Sequence, residues 1–140
     1  MGWQSYGLDQ IAQRLVLDAK ERDEDSLNQG YKMRMATAYG LERFWGEHLR
    51  LQRREPEKAE YWKATWDALV RVMGHAGVII PNDLIDVNDV RTIRAMSAKL
   101  WGETPLNAQG RKLTLQDQRV ALAVLSQLCD CIVWWTQRYK

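Results

Sequence analysis

Arginine supplies the chemistry this chain offers most plainly. Arg43, Arg50 and Arg54 stand seven and four residues apart, which brings them to one face of a helix, and Arg53 is adjacent. Lys32 and Arg34 precede them on the same stretch, Arg91 and Arg94 are three apart, and Arg111 and Lys112 are neighbours. A guanidinium keeps its charge and can fork onto two oxygens, so a helical row of arginines suits a phosphate backbone. Glu42, Glu47 and Glu57 partly offset the row, and a solvated surface face is the competing reading.

Other chemistries find less support. His48 falls in an apolar stripe without a nameable partner, which reads as a satisfied core residue rather than a base. His75 lies in Gly74-His75-Ala76-Gly77, at a helix end where an imidazolium would meet the C-terminal dipole. That stretch matches no phosphate-loop fingerprint. Cys129 and Cys131 are two apart on an expected helix, so they point to different faces and a disulfide between them is disfavoured. With only two histidines they make no zinc set. Glu55 and Glu57 flank Pro56 at a helix start, where negative charge complements the dipole. The expectation is a chain with no catalytic residue, no metal and no cofactor.

The totals are consistent with this. Twenty basic and 18 acidic residues leave a net charge of +2, too little for a strongly basic nucleic-acid binder. The charge is polarised, with an acidic Glu21, Asp23, Glu24, Asp25 run set against the arginine cluster. One hundred and forty residues suit a single domain, 1–140, with a substantial core. Tryptophan occurs seven times against one phenylalanine, and its large ring with one N–H serves cores and interfaces alike. The opening MGWQSYGLDQ has no secretory pattern, and its sixth residue, Tyr6, does not fit the myristoylation motif. Reduced thiols in the cytoplasm are the expectation.

Helical periodicity then places the elements. Residues 8–24 carry Leu8, Ile11, Ala12, Leu15 and Ala19 at helical spacing. Residues 29–53 read as one helix with Met33, Thr37, Leu41, Phe44, Trp45 and His48 in a stripe, despite Gly40 and Gly46. Residues 57–73 follow, with Lys58, Trp62, Thr65, Trp66, Leu69, Val70 and Met73 recurring, and Gly74 or Gly77 ending the helix. Residues 78–87 read as a buried connector. Asp86 or Asn88 caps a helix over 89–101 that turns Val90, Ile93, Met96, Leu100 and Trp101 inward. After a loop at 102–113, Thr114 caps a long apolar helix reaching Lys140, with Asp117 completing a weak capping box. Ser126, Gln127 and Asp130 within this helix argue for a bundle element and against a membrane span. The fold class is all-α, a compact bundle of about five helices.

The ending RVALAVLSQLCDCIVWWTQRYK is similar to the C-terminal helix of the small α-helical subunits of type III and type I CRISPR–Cas effector complexes. The stretch YKMRMATAYGLERFWGEHLRLQRR resembles a mid-protein helix of the type III members. The resemblance implies an antiviral ribonucleoprotein role without catalysis. Several copies would stack head to tail beside subunits that grip the guide RNA. Basic faces would run along the guide–target duplex or a displaced strand. By charge and helix face, Arg43, Arg50, Arg53, Arg54, Arg91 and Arg94 belong there, joined by the Arg111–Lys112 loop pair. Partners would be the other subunits, further copies of the chain, guide RNA and target nucleic acid.

Two other functions compete. A stand-alone protein–protein module, regulatory or toxin-neutralising, predicts scattered cations and one apolar groove lined by Trp101, Trp134 and Trp135. A small enzyme built around His48 requires an acid or nucleophile beside that histidine.

Overall fold

The computed structural model describes residues 7–140, and among them six α-helices and no strand. α1 spans Leu8–Arg22, and a 3₁₀ turn, Glu24–Asn28, leads into α2 at Gln29–Ala36. A second 3₁₀ turn, Thr37–Tyr39, separates α2 from α3 at Leu41–Leu51. α4 covers Pro56–His75, α5 Val90–Leu100 and α6 Leu115–Tyr139. The fold is all-α with a long apolar C-terminal helix, as expected.

The helix expected over 29–53 is two helices. Gly40 adopts φ 99° and ψ 174°, a region closed to residues with a Cβ, so the helix cannot run through it. The stripe survives the break: Met33, Thr37, Leu41, Phe44, Trp45 and His48 are all buried. Two further details differ. Asp89, rather than Asp86 or Asn88, caps α5, its carboxylate accepting from the Arg91 N–H at 3.0 Å. Val90 and Trp101 are exposed, because they sit at the first position of α5 and just beyond its last, where helix ends leave the core. Of the two glycines expected to end α4, Gly77 takes the left-handed conformation. The Val78 N–H returns to the Met73 carbonyl at 2.9 Å, and that of Gly77 to Gly74 at 3.1 Å. The Thr114 hydroxyl accepts from the Asp117 N–H at 3.0 Å, as expected.

The core is aromatic where α3 meets α4. Phe44 lies 4.8 Å from Trp62 and 6.4 Å from Trp66, centroid to centroid. Both indoles are buried with their donors used: Trp62 donates to Gln29 Oε1 at 2.9 Å and Trp66 to the Pro81 carbonyl at 3.3 Å. The second bond helps hold the 78–88 connector, whose Ile80 and Pro81 are buried. α6 packs Ala121, Val124, Leu125, Leu128, Cys129, Ile132 and Thr136 inward. It has the length and apolarity of a membrane span, yet this inner stripe is spent on the bundle. Its last turns are tied to α1 by Trp135 donating to Asp9 at 3.3 Å and Gln13 donating to the Tyr139 hydroxyl at 2.8 Å.

Candidate nucleic-acid interface

The inner stripe of α3 decides what the helix shows to solvent. With Leu41, Phe44, Trp45, His48 and Leu51 buried, the opposite face carries Arg43, Gly46 and Arg50. The two arginines are exposed and two turns apart, roughly 10 Å along the axis. Gly46 lies between them. A Cβ on Gly46 would meet only Glu42 of its own helix, at 3.6 Å, so no packing within the described residues calls for glycine there.

Glu47 binds Arg50 bidentately, through Nε at 2.9 and 3.1 Å and Nη2 at 2.8 Å. This hydrogen bonding and charge raise the guanidinium further above its usual range, and it stays largely exposed. Arg53 and Arg54 fall in the turn after α3, and Arg53 Nη2 donates to Asn88 Oδ1 at 3.1 Å. That bond links the end of α3 to the approach of α5. A cleft of about 410 Å³ lies here, with Trp45, Leu49, Arg50, Arg53, Val87 and Ile93 among its walls. At the start of α5, Arg91 pairs with Asp89 through Nε and Nη2, both at 3.0 Å, and Arg94 is exposed. The fold thus brings Arg50 and Arg53 to a cleft shared with Val87 and Ile93, and Arg91 and Arg94 stand exposed on α5.

Arg111 and Lys112 are not part of this cluster. Arg111 Nη2 donates to the Gly77 carbonyl at 3.3 Å, beyond the far end of α4. Arg53 and Arg54 precede the start of that 20-residue helix, about 30 Å away by its length.

A groove missed in the sequence lies on the other side of α3. Lys32, Met35, Ala36, Tyr39, Arg43 and Glu47 line about 300 Å³ above Trp62. Met35 and Tyr39 are each 72% exposed. Reading 29–53 as one helix put Tyr39 in mid-helix; Gly40 was the one signal of a break.

The tryptophans expected at an interface are dispersed. Trp101 is 56% exposed at the end of α5, beside the start of α6, where Leu115 is also exposed. Trp134 is 51% exposed near the other end of α6, with the Arg138 guanidinium 3.3 Å above its ring. Gly102, next to Trp101, lies against Gln118, so about 16 residues of helix, roughly 24 Å, part the two rings. Trp135 is half-buried and stacked on Tyr139 at 5.7 Å. One groove lined by all three is not formed.

His48 does face a cleft, of about 420 Å³, walled in part by Glu60, Lys63, Asn82 and Asp83. Its Nδ1–H donates to the Trp45 carbonyl at 2.5 Å. Burial lowers its pKa, with Lys63 adding to the effect against the opposing Trp45 bond, Asp67 and Glu60. Lys63 is itself paired to Asp67, and Asp83 to Lys99 at 2.8 Å. Both cysteines are free; burial raises their pKa values, that of Cys131 to about 11, so neither is a thiolate at neutral pH. Among the described residues no three histidine, cysteine or acidic side chains converge as a metal set. No family model, no curated protein and no solved structure matches the chain.

Proposed function

We propose that this chain is a helical subunit that lies against nucleic acid within a larger nucleoprotein assembly, of the kind formed by the small α-helical subunits of CRISPR effector complexes. The observation that carries the reading is the outer face of α3. Two exposed arginines stand two turns apart, and the residue between them is a glycine that internal packing does not require. Glycine in an exposed helix interior costs about 1 kcal/mol relative to alanine, and it permits a backbone to approach closely. Arg53, with Arg91 and Arg94 at the start of α5, extends the cationic surface. Half-exposed Trp101 and Trp134 lie toward opposite ends of α6, where they suit contacts to neighbouring subunits or further copies.

The test is binding of a labelled single-stranded RNA by fluorescence anisotropy over a range of salt. Phosphate contacts make log K fall linearly with log salt. Replacing Arg43, Arg50 and Arg53 together by Glu should reduce affinity at least tenfold and leave the melting temperature nearly unchanged. Unaltered binding would remove the α3 face from the reading. Tagging the chain in its native cell and identifying what co-purifies tests the assembly. Short RNAs with large protein partners support it, whereas a single protein partner without RNA supports a stand-alone interaction module instead.

A further inference from the structure

We propose that the groove between α2 and α3 is a stacking site for one unpaired nucleotide, with its base on Tyr39 beside Met35 and its phosphate held by Arg43 and Lys32. The inference rests on the nucleic-acid reading above and names where and how a base would be held.

The elbow at Gly40 creates the site. Because the helix stops at the 3₁₀ turn, Tyr39 leaves the packed stripe to which Thr37 and Leu41 belong and stands 72% exposed. Among the described residues its ring stacks on no other aromatic. Met35, one turn earlier, is equally exposed and offers a polarizable thioether to the same space. Trp62 contributes carbon surface only, since its N–H is committed to Gln29.

The charges on the rim choose the occupant. Among the described residues Lys32 and Arg43 form no ion pair, whereas the carboxylate of Glu47 is taken by Arg50. The uncommitted charges of the groove are therefore positive. A greasy peptide would gain nothing from them; a nucleotide uses both the flat ring and the cations. The base must be unpaired, because a duplex hides its base faces within its own stack. Arg43 belongs both to this rim and to the outer face of α3, so a strand seated here continues toward Arg50.

The test uses the full chain and a single-stranded oligouridylate carrying 5-iodouridine. After irradiation and tryptic digestion, the crosslink should fall in the peptide Met35–Arg43, which trypsin releases by cutting after Arg34 and Arg43. Tyr39→Ala should weaken binding of the same strand by about fivefold to a hundredfold, the range for losing one stacked base, while Tyr39→Phe retains it. Binding that depends on the α3 arginines but crosslinks elsewhere, or ignores Tyr39→Ala, overturns this site and leaves the broader reading standing. No binding of the strand, and no crosslink at high protein concentration, overturns both.

Discussion

Gly30 of α2 lies against Ile132 of α6: a Cβ on the glycine would stand 2.9 Å from Ile132 Cγ2 and 3.3 Å from Thr136 Oγ1. Both neighbours are fully buried and cannot retreat freely. Gly46 is the opposite case: a Cβ there would make only an ordinary contact, 3.6 Å from Glu42 Oε2 of its own helix. The two glycines should therefore respond to alanine with opposite signs. Gly46→Ala should stabilise the fold by up to about 1 kcal/mol through helix propensity. Gly30→Ala gains the same propensity but overpacks, at a cost of about 1–3 kcal/mol, and should come out destabilised. Urea unfolding of the two variants reads the difference. Gly46→Ala should also weaken RNA binding, giving a variant that is more stable yet binds less well; unchanged affinity would show that nothing approaches α3 there.

Ion pairing sorts the arginines into those free to bind and those engaged at home. Arg34 is tied to Asp130 through Nε at 2.5 Å and donates to Thr37 at 3.1 Å, joining α2 to α6. Arg34→Gln should leave the salt dependence of RNA binding unchanged. Arg43→Gln should make the slope of log K against log salt shallower by about 0.7–0.9, the loss of one phosphate contact. Glu47→Gln acts in reverse by freeing Arg50 from its carboxylate. It should tighten binding at low salt and steepen the slope. Tightening by Glu47→Gln is the informative result, because damage to the fold could not produce it.

Much of the fold was legible because burial has a period. The stripe from Met33 to His48 is found in the core although the helix carrying it is broken, since the 3₁₀ turn and Gly40 return the chain to the same side. The break itself is not legible: glycine within a helical pattern is tolerated too often for Gly40 alone to mark it. Val90 and Trp101 lie outside the core for a different reason, because at a helix end the wheel no longer decides which side is core. The seven-residue spacing of Arg43 and Arg50 gives one exposed face, but Arg54, expected on the same face, falls in the turn beyond α3. Which arginines are free depends on contacts with Asn88, Asp89, Gly77 and Asp130, residues up to 96 positions away that periodicity does not register.

Gly102 and Gly77 end α5 and α4 with the same left-handed turn, at φ 74° and 82°. Their surroundings differ. A Cβ on Gly77 meets nothing within 4 Å, whereas one on Gly102 would stand 2.5 Å from the Leu113 carbonyl oxygen, which is backbone and cannot rotate away. Gly77→Ala should cost only the left-handed strain, about 1–2 kcal/mol. Gly102→Ala should cost clearly more, because it also forces the start of α6 away from the end of α5. Thermal melts give the order directly, at about 3–4 °C per kcal/mol for a chain of this size. Equal losses would mean that the 102–113 loop is not held against Gly102.

His48 makes stability depend on pH in a defined direction. Burial disfavours the charged ring and outweighs the opposing Nδ1–H bond to the Trp45 carbonyl, so the folded-state pKa lies below the usual 6.5. In the unfolded chain the same imidazole takes up a proton as the pH falls through about 6.5. Between the two pKa values the unfolded state binds more protons, and stability rises with pH there. The contribution is therefore complete above about pH 6.5 and is lost progressively as the pH falls toward the folded-state value. Lys63 assists the shift while Asp67 and Glu60 oppose it. Unfolding free energies measured between pH 7.5 and 5 should fall for the native chain. His48→Gln, which cannot titrate, should flatten that fall while lowering stability at neutral pH through the altered packing. An unchanged profile in His48→Gln would assign the acid sensitivity to other groups and mean that His48 binds its proton equally in the folded and unfolded states.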